Sequence, residues 1–134
     1  MNYTLITDGA YSSKRNKGGI GIVFLKNDIK ILEYSQAFNN TTNNQMELLA
    51  VLIGLKFIKK PINNLLIITD SMYVIGCAIK GWKRKKNTEL WNKFDKEYNR
   101  VREMCPNITF KHIHGHTGDK WNTYCDNLAV NASK

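Results

Sequence analysis

Two similar stretches that each end in an aspartate constrain the fold more than any other feature of the sequence. Leu65–Thr69 is a run of branched apolar side chains followed by Asp70, and Tyr3–Thr7 precedes Asp8 in the same way. Short apolar runs of this kind are typical of strands buried on both faces. If the two strands are parallel neighbours, Asp8 and Asp70 meet at the sheet edge where open α/β folds place their sites. Adjacent carboxylates raise each other's pKa unless a cation lies between them, so the pattern predicts a metal site.

The length and composition predict one domain over residues 1–134. The chain has 134 residues, of which 43% are hydrophobic. No apolar run approaches the roughly 18 residues of a membrane span, and the amino terminus lacks a signal-peptide pattern. The three cysteines show no CxxC spacing, which favours reduced thiols. We expect a cytoplasmic monomer with no obligate protein partner and no membrane association.

The charge balance points to a polyanionic partner. Twenty Lys and Arg residues against eleven acids give a net charge of +9. Such an excess favours nucleic acid, although a merely solvated basic surface would have the same composition.

The order of predicted elements is βββαβααβα, which favours an α/β fold with one mixed five-stranded sheet flanked by helices. The polar segment from Gly9 to Gly19 is predicted as a turn. The predicted strands are Tyr3–Thr7, Ile20–Leu25, Ile29–Phe38, Leu65–Thr69 and Ile108–Ile113. The predicted helices are Met46–Lys59, Ser71–Ile79, Leu90–Met104 and Trp121–Ala132.

Two further acids are candidates for the same site. Glu47 lies on a strongly apolar helix with no basic residue one turn away, so no local ion pair explains it. Asp126 lies one residue from the apolar stripe of the last helix. Each acid also has a simpler interpretation: Glu47 as an exposed first-turn residue, Asp126 as a solvated one, Asp8 as part of an Asp-Gly turn and Asp70 as a helix cap.

Taken together, the motifs are specific. They are Thr7-Asp8-Gly9, Thr41-Thr42-Asn43-Asn44-Gln45-Met46-Glu47-Leu48, Thr69-Asp70-Ser71-Met72-Tyr73-Val74 and Gly115-His116-Thr117-Gly118, followed by Asn122 and Cys125-Asp126-Asn127-Leu128-Ala129. In this combination the chain resembles type 1 ribonuclease H from about Tyr3 to Ala132. The resemblance implies the ribonuclease H-like fold and an endoribonuclease that cuts the RNA strand of RNA/DNA hybrids, leaving 5′-phosphate and 3′-hydroxyl ends.

The resemblance also assigns the catalytic residues. It implies that Asp8, Glu47, Asp70 and Asp126 bind two Mg²⁺ ions, with Mn²⁺ as a substitute, and carboxylate oxygens are the ligands that Mg²⁺ prefers. Two ions about 4 Å apart can clamp an in-line displacement at phosphorus, so Ser71 needs no nucleophilic role. His116 matches the family's mobile-loop histidine, which assists proton transfer and product departure.

Other residues are candidates for substrate binding. Asn43, Asn44 and Gln45 stand just before Glu47, where their amides can reach the wide minor groove of an A-like hybrid, or simply cap the helix. A basic connector offers an aromatic side chain among cations for the DNA strand, although its Trp could instead pack in the core. The connector residues are Trp82, Lys83, Arg84, Lys85 and Lys86.

Several alternatives stay open. His112, His114 and His116 alternate along the chain and could hold zinc, but no thiol at finger-like spacing accompanies them. The segment from Ile79 to Leu90 is shorter than the basic protrusion of many relatives, which indicates a short form of the family. A basic duplex-binding module without catalysis, or a metal nuclease of the same fold acting on DNA, would share most of these features.

Overall fold

The computed structural model describes residues 2–113 and 120–134. Its strands are β1 (Asn2–Ser12), β2 (Lys17–Lys26), β3 (Ile29–Asn39), β4 (Asn64–Thr69) and β5 (Asn107–His112). Its helices are α1 (Asn43–Lys56), α2 (Met72–Ile79), α3 (Thr88–Met104) and α4 (Lys120–Ala132). The predicted order βββαβααβα is therefore confirmed.

The five strands form one mixed sheet with the order β3-β2-β1-β4-β5. β1 pairs with β2 and β2 with β3 in antiparallel fashion, whereas β1 with β4 and β4 with β5 run parallel. The β1–β4 ladder ends at Ile6 and Ile68, so Asp8 and Asp70 each lie two residues beyond the last pair. The predicted parallel pairing of the two aspartate-ended strands is confirmed.

Two predicted boundaries were wrong by several residues. The segment from Gly9 to Gly19 was expected to be a turn, but β1 continues to Ser12 because Gly9 to Ser12 pair with β2. Tertiary pairing here overrides the local turn signal. Helix α1 begins at Asn43 rather than Met46 because Thr42 caps it: the Thr42 hydroxyl accepts a hydrogen bond of 3.2 Å from the Gln45 backbone N–H.

Helices cover both faces of the sheet. On one face, α1, α2 and α3 bury alternate strand residues such as Leu5, Ile22 and Ile67 in the main apolar cluster. On the other face, α4 packs over Ile6 and Val23 in a smaller cluster. Because neighbouring residues Leu5 and Ile6 are both buried, the prediction that β1 is buried on both faces is confirmed. Within the described ranges, no helix combines the length and apolar character needed to cross a membrane.

Candidate metal centre and nucleic-acid interface

The first two acids of the site are placed by the sheet. Asp8 lies inside β1, not in an Asp-Gly turn, and it is only 8% exposed. Asp70 follows β4, and it is Ser71 rather than Asp70 that caps α2, with the Ser71 hydroxyl accepting from the Val74 N–H at 3.1 Å. Neither aspartate is therefore explained by the local role that its sequence context allowed.

Glu47 joins these acids because α1 passes very close to Gly9. A Cβ atom at Gly9 would lie 2.5 Å from the backbone nitrogen of Glu47, so only glycine permits this approach. The Gly9 N–H donates to Glu47 Oε1 at 2.6 Å and to Asp8 Oδ1 at 2.9 Å. Glu47 is 6% exposed, which contradicts its interpretation as an exposed first-turn residue.

The three carboxylates form a compact cluster. One oxygen from each of Asp8, Glu47 and Asp70 lies within 4.8 Å of the other two. Within residues 2–113 and 120–134, this is the one His/Cys/Asp/Glu group with metal-site geometry. The Oδ1 atom of Asp70 is buried and has no hydrogen-bond partner among the described residues. A buried carboxylate oxygen without a donor is costly unless a cation approaches it.

Asp126 approaches the cluster from the opposite face of the sheet. Helix α4 packs closely on β2, since a Cβ atom at Gly21 would lie 2.3 Å from the backbone oxygen of Cys125. The Cys125 thiol donates to the Gly21 carbonyl at 3.0 Å, which fixes this turn of the helix. Asp126, the next residue, is half-buried and hydrogen-bonds with Asp8.

The electrostatics show how strongly the acids interact. The pKa of Asp8 is raised to about 8. The largest cause is burial, followed by the charge of Asp70 and by the hydrogen bond and charge of Asp126, whereas the hydrogen bond from the Gly9 N–H lowers it by a smaller amount. Burial, followed by the hydrogen bond and charge of Asp70 and the charge of Asp8, raises the pKa of Glu47 to about 10. The cluster therefore disfavours its own full ionisation, which a bound cation would restore.

The pKa of the Cys125 thiol is also affected by the charges of these acids. Burial is the main reason that its pKa lies well above the usual value, and the charges of all four acids, Asp8, Glu47, Asp126 and Asp70, raise it further. All four carboxylates therefore lie near one point of the structure.

His112 contributes a contact that the sequence did not suggest. Its Nε2 atom lies 3.1 Å from the backbone oxygen of Asp70, which it can reach as a donor in the Nε2–H tautomer. This contact ties the end of β5 to the end of β4. His114 and His116, the other two histidines of the zinc alternative, lie outside the described residues. The predicted role of His116 in proton transfer therefore stays a prediction.

The three amide residues before Glu47 differ in their exposure and contacts. Asn43 and Asn44 are exposed in the first turn of α1, and Thr42 rather than either asparagine caps the helix. Gln45 is half-buried and engaged at both ends: its Oε1 accepts from the Thr41 hydroxyl at 3.1 Å, and its Nε2 donates to Asn87 Oδ1 at 3.1 Å.

The residues of the basic connector between α2 and α3 also differ in their exposure. Lys83, Lys85 and Lys86 are exposed. Trp82 is 48% exposed while its ring lies against Gly76, so it both packs and presents a face to solvent. Arg84 points inward instead.

The contacts of Arg84 explain its orientation. Its guanidinium donates to Asp95 at 2.6 Å and to the Cys77 carbonyl at 3.0 Å, and it lies 4.5 Å from the centroid of the Trp91 ring. The exposed cations of the connector are thus its lysines, and Arg84 joins α2 to α3.

Comparison with known proteins finds close relatives along the whole chain. A sequence profile of the family described as RNase H matches residues 1–134. The chain is 39% identical to a ribonuclease H of Desulforamulus reducens, with 98% of this chain and 87% of the relative covered. It is 35% identical to ribonuclease HI of Synechocystis sp., with 96% and 86% covered.

A solved structure shares the fold. The N-terminal RNase H domain of rv2228c from Mycobacterium tuberculosis, determined as a fusion with maltose-binding protein, superposes with a TM-score of 0.82. The match covers 98% of this chain and 93% of that chain at 22% sequence identity.

Proposed function

The chain belongs to the ribonuclease H family, and from this premise we propose that it hydrolyses the RNA strand of RNA/DNA hybrids. One observation carries the proposal: Asp8, Glu47 and Asp70 come from three separate elements and bring one carboxylate oxygen each to within 4.8 Å. Buried acids at this spacing destabilise a fold unless cations bind to them. An arrangement of this kind is typical of functional sites.

We assign the metal ligands to Asp8, Glu47, Asp70 and Asp126, and the ions to a pair of Mg²⁺ with Mn²⁺ as a substitute. The unpaired Oδ1 atom of Asp70 supports the fit, because it is a buried hard oxygen of the type that Mg²⁺ prefers. The chemistry that bound divalent ions supply is activation of the attacking water and stabilisation of charge on the leaving oxygen.

The residues of the chain orient this chemistry. The Gly9 N–H donates to one oxygen of Asp8 and to one oxygen of Glu47, and so holds the two carboxylates side by side. The hydroxyl of Ser71 is occupied in capping α2, which supports water as the nucleophile rather than a covalent enzyme intermediate. Attack by water gives 5′-phosphate and 3′-hydroxyl products, and we assign proton transfer and product departure to His116.

The exposed polar side chains suit a hybrid duplex. Asn43 and Asn44 stand four and three residues before Glu47, where they can read ribose hydroxyls in the wide minor groove of an A-like hybrid. Trp82 and the exposed lysines of the connector can contact the phosphates and sugars of the DNA strand. The net charge of +9 supports the affinity for both strands.

We also propose that residues 1–134 act as one cytoplasmic domain and as a monomer. Support comes from the cysteines, since Cys77, Cys105 and Cys125 are all unbridged and buried, as suits a reducing compartment. Light scattering with the purified chain tests the monomer, and a mass of twice 15.4 kDa would contradict it.

Cleavage assays with three duplexes test the function. Labelled RNA/DNA hybrid, RNA duplex and DNA duplex are each incubated with the chain and Mg²⁺, and the products are sized. The assays are repeated with Asp70→Asn and with Asp28→Asn, a matched control in the exposed turn between β2 and β3.

The proposal expects cleavage confined to the RNA strand of the hybrid, abolished by Asp70→Asn and retained in Asp28→Asn. Binding without cleavage would instead favour a non-catalytic duplex-binding module. Cleavage of the DNA duplex would favour a DNA nuclease of the same fold.

A further inference from the structure

A chain of side-chain hydrogen bonds connects the three helices of the main core. The Thr41 hydroxyl donates to Gln45 Oε1, and Gln45 Nε2 donates to Asn87 Oδ1, both at 3.1 Å. Asn87 Nδ2 then donates to the Tyr73 hydroxyl at 3.0 Å, which also accepts from Trp91 Nε1 at 2.9 Å. We call these five residues the amide relay.

Asn87 is the unusual member of the relay. It occupies the N-cap position of α3, where an asparagine side chain ordinarily accepts a hydrogen bond from the first helical turn. Here it makes no such capping bond, and its backbone has φ 60° and ψ 32°, a left-handed conformation that is unfavourable for most residues. The side chain instead bridges Gln45 of α1 and Tyr73 of α2. Helix α3 thus lacks a side-chain cap while this long-range link is kept.

The relay ends beside the parts of the site that come from distant segments. Gln45 follows Asn43 and Asn44 directly and lies two residues before Glu47. Tyr73 lies in the first turn of α2, three residues after Asp70. Asn87 itself directly follows Lys86, the last residue of the basic connector. One continuous set of hydrogen bonds therefore joins residues that are next in sequence to the exposed amides and to the connector lysines, and that lie on the helices next to two of the acids.

We infer that Asn87 and Tyr73 are positioning residues, which hold the exposed amides of α1 and the basic connector at a fixed spacing for the two strands of the duplex. This inference rests on the proposed function. Gln45 belongs to the same set: both polar atoms of its side chain are already engaged, so it supports its exposed neighbours Asn43 and Asn44 rather than contacting substrate.

The physical reason is preorganisation. A duplex has a fixed distance between its strands, so two binding segments carried by different elements lose less freedom on binding if their separation is set beforehand. The relay spans polar groups inside the fold, where a lost partner leaves a donor or acceptor unsatisfied. Its loss should weaken hybrid binding while leaving the four acids in place, because Gly9 holds Glu47 independently of the relay.

Two variants break the relay with little other change. Tyr73→Phe removes only the hydroxyl that accepts from Asn87 and Trp91. Asn87→Gly removes the bridging amide, and glycine adopts the left-handed backbone without strain. Each has a matched control far from the site in Tyr34→Phe, which removes a hydroxyl that donates to Gln36, and Asn27→Gly, which removes another left-handed asparagine.

Binding and turnover are measured separately. Fluorescence anisotropy in EDTA gives the Kd for a labelled RNA/DNA hybrid, steady-state cleavage with Mg²⁺ gives kcat and KM, and circular dichroism gives Tm so that all assays are run well below it. We expect Kd and KM to rise about five- to tenfold in both relay variants, with kcat within about twofold of wild type. The double variant should resemble a single one, because both changes break the same connection.

Three results would overturn the inference: unchanged Kd and KM in both relay variants, equal rises in the two controls, or a fall in kcat with constant KM. The metal-free binding assay separates this inference from the proposed function. If the wild-type chain binds hybrid without cleaving it, the proposed function fails while the relay is still judged on Kd. If the wild type cleaves and the relay variants bind normally, the relay alone fails.

Discussion

Removing one carboxylate from the candidate metal centre should stabilise the metal-free protein. Asp8, Glu47 and Asp70 are brought within 4.8 Å of one another in a buried setting, and the Oδ1 atom of Asp70 has no partner among the described residues. The substitution Asp70→Asn keeps the shape of the side chain, removes its charge and adds an amide that can donate to a neighbouring carboxylate. A loss of stability at a cluster of this kind is common at functional sites.

The magnitude follows from the geometry. Two unit charges 4.8 Å apart repel by about 3 kcal/mol at an effective dielectric constant of about 20. Proton uptake by Asp8 and Glu47 relieves much of this repulsion, so we expect a net gain of about 1–2 kcal/mol in the free energy of unfolding. For a chain of this size, that gain corresponds to a rise in Tm of about 3–8 °C.

The dependence on pH has a definite sign. The pKa values of Asp8 and Glu47 in the folded state, about 8 and about 10, lie above their ordinary values of 3.8 and 4.5. The folded chain therefore holds more protons than the unfolded chain between those limits, and its stability falls as the pH rises through about 8 to 10. At pH 5 both groups are already protonated in the folded wild type, so the advantage of Asp70→Asn should shrink.

Thermal unfolding in EDTA at pH 5 and pH 8.5 tests this reasoning, with Asp28→Asn as the control for a surface charge change. Adding Mg²⁺ at pH 8.5 should raise the Tm of wild type more than that of Asp70→Asn, because ligand binding stabilises the state that binds it. A Tm for Asp70→Asn that is unchanged or lower than wild type at pH 8.5 would refute the argument. So would a gain that is equal at the two pH values.

Three further substitutions test the packing around the site and the contact of the basic connector with the duplex. Gly9→Ala should cost about 2–4 kcal/mol in urea unfolding and abolish hybrid cleavage, since its Cβ would lie 2.5 Å from the Glu47 nitrogen; normal cleavage would contradict the close approach. Lys85→Gln should leave Tm unchanged and reduce the slope of log K against log salt for hybrid binding by about 1; an unchanged slope would remove Lys85 from the interface. Arg84→Gln should lower Tm by several degrees, because it loses the ion pair with Asp95; an unchanged Tm with weaker binding would make it a substrate contact.

The sequence predicted those parts of the site that depend on strand periodicity. Asp8 and Asp70 follow short apolar runs that are typical of buried strands, and the observed parallel pairing brings both acids to the same edge. Apolar runs together with turn, capping and helix-breaking residues predicted the order of the elements that the described ranges contain. Strand ends were less accurate: β1 extends to Ser12 because its continuation pairs with β2, and no local pattern reports a partner that is distant in sequence.

Burial of individual polar residues could not be read from spacing. Glu47 was compatible with exposure in a first helical turn, and it is buried because α1 crosses Gly9 at backbone distance. Arg84 stands in a run of lysines yet points inward, because it donates hydrogen bonds to Asp95 of α3 and to the Cys77 carbonyl of α2. In each case the decisive neighbour belongs to another element, so composition and periodicity carry no information about it.

The amide relay was hidden for a related reason. Asn87 follows two lysines and lies three residues before Leu90, where the helix was predicted to begin, so the sequence alone predicted no role for its side chain. Only its left-handed backbone and the absence of a capping bond show that its side chain faces Gln45 and Tyr73. A departure from local preference of this kind is expected where a residue serves the site rather than its own helix.

The glycines opposite the acids select which acids meet. The chain contains eleven Asp and Glu residues, and charge alone does not distinguish the four at the site from the others. Gly9 admits the backbone of α1, so Glu47 reaches Asp8 from one face of the sheet, and Gly21 admits α4, so Asp126 reaches it from the other. Since each helix approaches where a strand lacks a side chain, the position of the acidic cluster is determined by β1 and β2 as much as by the acids themselves.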